Sequence, residues 1–149
     1  MMNTEQEIKR LALEVAPWYS YGTFYRLNTI TDRMRSKRQL PACLHLQTSS
    51  GSVSFTDSSY LMREKGTSRV QVGFADSVKL DQDAEQSIAV VESLIGMCSE
   101  LIKKMNASGL WEPIDRYDYE VLYNTQDGNL VLVLATFDAK ELDGKCVEI

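Results

Sequence analysis

The clearest pattern of hydrophobic and polar positions runs from Asp81 to Gly109. Apolar side chains recur there every three or four residues, which places them on one face of a helix. That face consists of Ala84, Ile88, Val91, Ile95, Cys98, Ile102 and Met105, and it is widened by Leu94 and Leu101. A stripe of this width is typical of a helix that packs on a sheet. Gly109 is placed to take the left-handed conformation after the last turn, so the pattern predicts a helix of about seven turns.

Two shorter helices are predicted before residue 41. The first runs from Glu5 to Ala16, where Pro17 ends it, and its apolar stripe consists of Ile8, Leu11, Ala12 and Val15. The second begins after Asn28, a favourable N-cap, and ends before Pro41. The aromatic stretch between them is compatible with a strand from Tyr19 to Leu27, or with a turn followed by a short strand.

Alternating residues between the short helices and the long one predict strands. Ala42, Leu44 and Leu46 alternate with polar positions, which indicates a strand with one buried side. Ser49 to Gly51 is typical of a turn, and the next segment is expected to pair back on this strand as a hairpin. Asp57 to Gly66 is polar and predicts a loop. The strand that follows places Val70, Val72 and Phe74 on its inner face, and Gly73 indicates a bulge or a close backbone approach.

Two further strands follow the long helix. Residues 117–123 alternate, whereas Leu130 to Phe137 is nearly continuous in apolar residues, as in a central strand that is covered on both faces. Asp127-Gly128-Asn129 between them is a strong hairpin signal. From about Ala139 the chain is a polar tail that either docks along an edge or stays mobile. The element order predicts one domain over residues 1–149 of the α+β class. Its architecture would be a mostly antiparallel sheet with a long amphipathic helix and shorter helices packed on one face.

Composition and charge exclude few classes of protein. Hydrophobic residues make up 44% and charged residues 25%, and the net charge is −5, which is ordinary for a globular protein and unlike a dedicated nucleic-acid binder. Cys43, Cys98 and Cys146 include no CxxC pair, which is typical of reduced thiols. The polar start of the chain and the absence of an apolar run of about 20 residues predict a soluble cytoplasmic protein without a secretory signal or membrane span.

The only basic cluster supplies the candidate binding residues. It consists of Arg33, Arg35, Lys37 and Arg38. Such a cluster suits a phosphate group or an acidic partner, and it also suits a solvated loop or helix face. No second basic stretch extends it into a groove.

No catalytic constellation is visible in the sequence. The glycines match neither the GxxxxGK nor the GxGxxG spacing, and no serine lies in a GxSxG motif. His45 is the only histidine, and Cys43 lies two residues away on the same strand face, about 7 Å off, which is too far for most nucleophile–base pairs. A metal site needs three or four ligands, so we predict no enzyme, no metal and no cofactor. A pocket around His45 and the nearby aromatic residues is the less favoured alternative.

Two segments together resemble a known group of proteins. One is LNTITDRMRSKRQLPACLHLQTSSGSV, and the other is FADSVKLDQDAEQSIAVVESLIGMCSELIKKMNASGLWEPI, followed by a YxxxYNTQDGNLVLVLATF hairpin and a Gly-Lys-Cys ending. The pattern resembles small structural proteins of phages and prophages of Bacteroides-type bacteria, and by element order it is similar to tail-completion or tail-terminator proteins. The resemblance covers about residues 20 to 146 and carries over no site residue.

The resemblance implies a particular function and location. Such proteins are not enzymes; they are α+β modules that form rings at the end of the tail tube and join it to the neck. We therefore expect a chain that self-assembles or binds protein partners, in the cytoplasm or in an assembled virion, without nucleic-acid, membrane or small-molecule partners. Contacts are expected from the Asp127-Gly128 hairpin, the Asp57–Gly66 segment and the basic Arg33–Arg38 segment. The alternative is an intracellular interaction module of the adaptor or immunity type.

Overall fold

The computed structural model describes residues 4–22, 41–46, 50–58, 61–77, 84–124, 130–142 and 145–148. The helices in these ranges are α1 (Thr4–Ala12) and α2 (Ala84–Ser108). The strands are β1 (Trp18–Gly22), β2 (Ala42–Leu46), β3 (Gly51–Ser58), β4 (Leu61–Ser77), β5 (Asp118–Asn124), β6 (Leu130–Lys140) and β7 (Lys145–Glu148). All seven strands belong to one sheet, in which β1 and β2 pair in parallel and the other described pairs are antiparallel. The predicted α+β class with a mostly antiparallel sheet is confirmed.

The 17-residue strand β4 is the axis of the sheet. Its C-terminal half lies between β2 and β6, in the order β1-β2-β4-β6-β5. Its N-terminal half pairs instead with β3 on one edge and with β7 on the other. We call β3, residues 61–66 of β4, and β7 the β-arm, and we call the rest of the sheet with its helices the body.

The main core is one cluster of buried residues contributed by α1, α2 and the strands, and we call the sheet face that carries its strand positions the helix face. Its buried members from α1 and α2 include Ile8, Leu11, Ala12, Leu94, Cys98, Leu101, Ile102 and Met105. Its buried members from the sheet include Cys43, Val70, Val72, Phe74, Val131, Val133, Ala135 and Phe137. A second cluster of buried strand residues lies on the opposite face, formed by Ala42, Leu44, Leu46, Ala75, Leu132 and Leu134. The body of the sheet is therefore buried on both faces, so polar alternation is lost there.

The helices follow the predicted pattern with two differences. Gly109 has a φ of 75° directly after α2, which confirms the predicted helix end. The buried line of α2 consists of Leu94, Cys98, Leu101, Ile102 and Met105, whereas Ile88 is 56% exposed. The helix α1 ends at Ala12 and continues only as turns to Ala16. The predicted helix after Asn28 and the second half of the Tyr19–Leu27 strand lie outside the described residues.

The prediction for residues 42–66 was wrong in three respects. First, β2 is buried on both faces instead of one. Second, β3 does not fold back on β2, because both strands run antiparallel along the same edge of β4, with Leu46 opposite Gln71 and Gly51 opposite Ser68. Third, the segment predicted as a loop consists almost entirely of strands: β3 and β4 remain paired as far as Ser58 and Leu61. A strand pair outside the core is held by backbone hydrogen bonds, so its side-chain pattern carries little signal.

The predictions for the later strands were better. The inner positions of β4 and the two-sided burial of β6 are confirmed, and β5 pairs antiparallel with β6. The predicted turn at Asp127-Gly128-Asn129 lies outside the described residues. The C-terminal segment is less of a tail than predicted, because β6 continues to Lys140 and residues 145–148 form β7 on the edge of β4. Of the two alternatives for this segment, docking on an edge is the one that the structure contains.

Gly73 is required by a close approach of two strands. A Cβ atom at this position would lie 2.6 Å from the backbone oxygen of Val133 and 2.8 Å from Cδ1 of Leu132. We expect Gly73→Ala to lower the free energy of unfolding by about 1–3 kcal/mol, because the strands must separate to admit the methyl group. Urea denaturation of the purified variant measures this loss.

Gly96→Ala is the matched control for this prediction. Gly96 lies in α2, and a Cβ atom there would have open space within 4 Å, so the same substitution is expected to raise stability by about 0.5–1 kcal/mol. Equal effects at the two glycines would contradict the close approach at Gly73.

Candidate functional site

The predicted basic binding residues Arg33, Arg35, Lys37 and Arg38 all lie outside the described residues. Their role in binding therefore stays a prediction. Two other features of the structure are candidates for a functional site. One is a group of polar and aromatic side chains around His45, and the other is the β-arm.

His45 is a buried histidine between two tyrosines. The parallel pairing of β1 and β2 places Tyr21 directly opposite His45 and Tyr19 opposite Cys43. His45 is only 2% exposed, and its Nδ1 lies 2.7 Å from the hydroxyl oxygen of Tyr19. The Tyr21 ring meets the imidazole edge-on at a centroid distance of 5.1 Å. The Nε2 atom is buried and has no hydrogen-bond partner within the part of the chain that the structure describes.

Burial determines the protonation of this group. It lowers the pKa of His45 to about 4, so the imidazole is neutral at pH 7. Burial likewise raises the pKa of the Tyr19 hydroxyl, with smaller contributions from Cys43, Tyr21 and Glu5. The pKa of the Cys43 thiol is raised well above its ordinary value, first by burial and then by the neighbouring thiol of Cys98. These groups keep their neutral forms, as expected for side chains that fill a core.

The structure does not bring Cys43, His45 and Asp57 together as a Cys-His-Asp catalytic set. Cys43 is opposite Phe74 of β4, whereas Asp57 is opposite Met62. These two positions on β4 are separated by about 40 Å of extended chain. Among the residues that the structure describes, no group of three or more histidine, cysteine or acidic side chains is arranged to hold a metal ion.

A cavity of about 350 Å³ lies beside Tyr19, between α1 and β1. It is lined by Glu5, Gln6, Lys9, Tyr19, Ser20 and Tyr21. The ammonium of Lys9 lies 6.0 Å from the centre of the Tyr19 ring. His45 is not among the lining residues. Tyr19 both lines the cavity and contacts the buried imidazole through its hydroxyl group.

The β-arm is the second candidate, and the sequence pattern did not reveal it. Residues 51–55 of β3 are all exposed, including Val53 at 54% and Phe55 at 56%. Val53 is opposite Gly66 and Phe55 is opposite Glu64, which places both side chains on the continuation of the helix face. Two large apolar side chains therefore face solvent next to each other on one face of one strand. The alternation of Val53 and Phe55 with serines was the one available signal.

Comparison with known proteins adds no family to this picture. No protein-family model matches the chain, and it matches no curated protein. Within the described ranges, neither α1 nor α2 has the length and apolar content that a membrane crossing requires.

Proposed function

We propose that this chain is a non-enzymatic structural protein of a phage or prophage tail, which self-assembles or docks on a tail or neck complex. In this proposal its helices all pack on one face of the sheet, and the β-arm makes contacts with neighbouring subunits. The observation that carries the proposal is the exposed pair Val53 and Phe55 on a strand beyond the body. The element order on which the resemblance to tail-completion proteins rests supports the same function.

Within the described part of the chain, β3 is an edge strand of the sheet. Unpaired edge strands invite association, and monomeric proteins usually protect them with lysine, proline, bulges or short length. β3 is eight residues long and contains neither lysine nor proline. An exposed pair of large apolar side chains on such an edge is typical of a surface that a protein partner covers. The arm therefore favours a function in protein assembly.

The experiment is the mass of the purified protein in solution over a range of concentrations, by light scattering after size exclusion. Electron micrographs of the same samples and detection of the chain in purified phage tails complete it. Rings, or a defined oligomer together with presence in tails, are the expected result. A strict monomer that is absent from tails and binds one intracellular protein would overturn the proposal in favour of an adaptor or immunity-like module.

A pair of matched variants tests the role of the arm. Phe55→Ser removes an apolar contact from the arm, and we expect it to raise the concentration needed for half-complete assembly by about tenfold or more. Ile88→Ser is the control, because Ile88 is equally exposed but lies on α2. Assembly that weakens equally in both variants, or only in the control, would show that the arm is not the contact.

A further inference from the structure

Among the described residues, one backbone edge of β3 has no partner strand. On one side it is paired with β4 along its full length, from Gly51 opposite Ser68 to Ser58 opposite Leu61. No strand in the described ranges pairs with its other side, and residues 51–55 are exposed. With respect to the described residues, the N–H and C=O groups on that side are available to a further strand.

The hydrogen bonds to β4 determine which residues direct their backbone groups toward the open edge. The oxygen of Ser50 accepts a hydrogen bond from the N–H of Arg69 at 3.1 Å, one position before Gly51. In an antiparallel ladder, hydrogen-bonded and non-hydrogen-bonded pairs alternate. The even-numbered residues of β3 therefore bond to β4. The odd-numbered residues direct their N–H and C=O groups outward; these are Gly51, Val53, Phe55 and Asp57.

The outward-directed residues are complementary to a second copy of the same strand. In an antiparallel pair centred on Ser54, Val53 of each copy lies opposite Phe55 of the other on the helix face. On the other face the two Ser54 residues lie opposite each other. Aromatic–β-branched pairs are favourable neighbours across strands.

Alternative registers are less favourable. Centring the pair on Val53 places Phe55 opposite Gly51, and centring it on Phe55 places Val53 opposite Asp57. All three registers pair outward-directed residues with outward-directed residues, so the cross-strand neighbours distinguish them. Only the Ser54 register places Val53 of each copy opposite Phe55 of the other.

We propose that β3 pairs with β3 of a second copy of this chain, antiparallel about a two-fold axis at Ser54, so that one sheet continues through both molecules. The occupant is a second copy because the strand is complementary to itself in sequence and in hydrogen-bond register, which is the requirement for a two-fold contact. The pairing is a property of the isolated protein and does not depend on the tail assignment.

A cysteine at the two-fold axis tests the pairing directly. In the Ser54 register the two Ser54 residues form a non-hydrogen-bonded pair with a Cα separation of about 4.5 Å, within the range of disulfides. Ser54→Cys in a Cys146→Ser background is expected to form a disulfide-linked dimer under mild oxidation. The other two cysteines, Cys43 and Cys98, are buried.

Ser52→Cys in the same background is the matched control. Ser52 is equally exposed on the same face, but in this register its counterpart is displaced by about 13 Å along the strands, which is too far for a disulfide. Failure of Ser54→Cys to cross-link, or equal cross-linking of both variants, would overturn the pairing. If rings form but Ser54→Cys does not cross-link, the β3 pairing is wrong and the tail function stands. If Ser54→Cys cross-links but the protein is absent from tails, the pairing stands and the tail function is wrong.

Proline substitution tests the backbone contribution. Phe55→Pro removes an N–H that faces the open edge and no hydrogen bond to β4, so it is expected to raise the dimer dissociation constant about tenfold or more with little change in melting temperature. Ser54→Pro removes an N–H that bonds to β4, and it is expected to lower the melting temperature. Unchanged dimerisation of Phe55→Pro would contradict the proposal.

Discussion

Lowering the pH from neutral to about pH 4 is expected to cost the folded protein about 3 kcal/mol at His45 alone. Burial lowers the pKa of this imidazole from 6.5 to about 4 in the folded state. The unfolded chain therefore takes up a proton below about pH 6.5, whereas the folded protein does so only near pH 4. The contribution of His45 to stability is fully present above pH 6.5 and is lost as the pH falls through this window.

The measurement is the free energy of unfolding in urea at several pH values, for the wild type and for His45→Leu. Leucine has a similar volume and does not titrate, so the difference between the two proteins isolates His45 from the carboxylates that both share. We expect that difference to shift by about 3 kcal/mol in favour of His45→Leu between pH 7 and pH 4. A difference that does not vary with pH would mean that the imidazole is hydrated or paired in solution.

Tyr19→Phe separates burial from hydrogen bonding at this position. It removes the hydroxyl that lies 2.7 Å from Nδ1 and keeps the ring. Because burial is the cause of the lowered pKa, the acid sensitivity is expected to persist in this variant. Loss of the sensitivity would assign it to the tyrosine instead.

Trp111→Ala is expected to be among the most destabilising substitutions in the chain, with a loss of about 3–5 kcal/mol. Trp111 is 1% exposed and is one of the largest buried side chains. It follows α2 and is bridged to Glu141 just after β6, between two backbone hydrogen bonds that join Glu112 to Lys140 and Leu142 to Leu110. Its loss would leave a large void where the chain after α2 meets the base of the arm.

Trp111→Phe is the informative comparison. The indole Nε1 is buried and has no hydrogen-bond partner among the described atoms, and such an unsatisfied donor costs about 1–3 kcal/mol. Phenylalanine removes that donor and keeps most of the apolar contact, so its net cost is expected to be below about 2 kcal/mol. Urea denaturation of both variants measures the two losses. Equal losses would indicate that Nε1 is bonded, for instance to an ordered water, and that the polar group matters as much as the volume.

The parts of the fold that were predictable from the sequence are those in which burial determines the residue pattern. The helix α2 ends where Gly109 predicts, and β6 is apolar throughout because it is covered on both faces. β5 and β6 pair antiparallel, as their apolar patterns and close spacing in the sequence predict. In each case many side chains or a specific turn requirement give the same answer.

The β-arm was not predictable from the sequence, because residues 51–55 are exposed and no burial imposes a pattern on them. Residues 57–66 include charged and small residues that suit a loop as well as a strand. Only the pairing of β3 with β4 shows that they form strands. Likewise, nothing in the ACLHL pattern shows that the polar His45 is buried. Its burial depends on β1, which arrives from another part of the sequence and covers it with Tyr19 and Tyr21. Long-range pairing of this kind leaves no local signal.

The length of β4 has a mechanical consequence. Between β2 and β3 on one side of β4, only Val70 lacks a partner among the described residues, because the N–H of Arg69 donates to the oxygen of Ser50. Between β6 and β7 on the other side, only Lys65 lacks one among these residues, because the oxygen of Gly66 accepts from the N–H of Glu141. These gaps in pairing lie at different positions along β4, so at each of them β4 is still paired on its other side. The arm therefore has no position at which both sides are unpaired and at which it could bend freely. A force on the arm would act as shear on many of the hydrogen bonds between β4 and β6 at the same time. The arm would therefore move together with the body as one rigid unit.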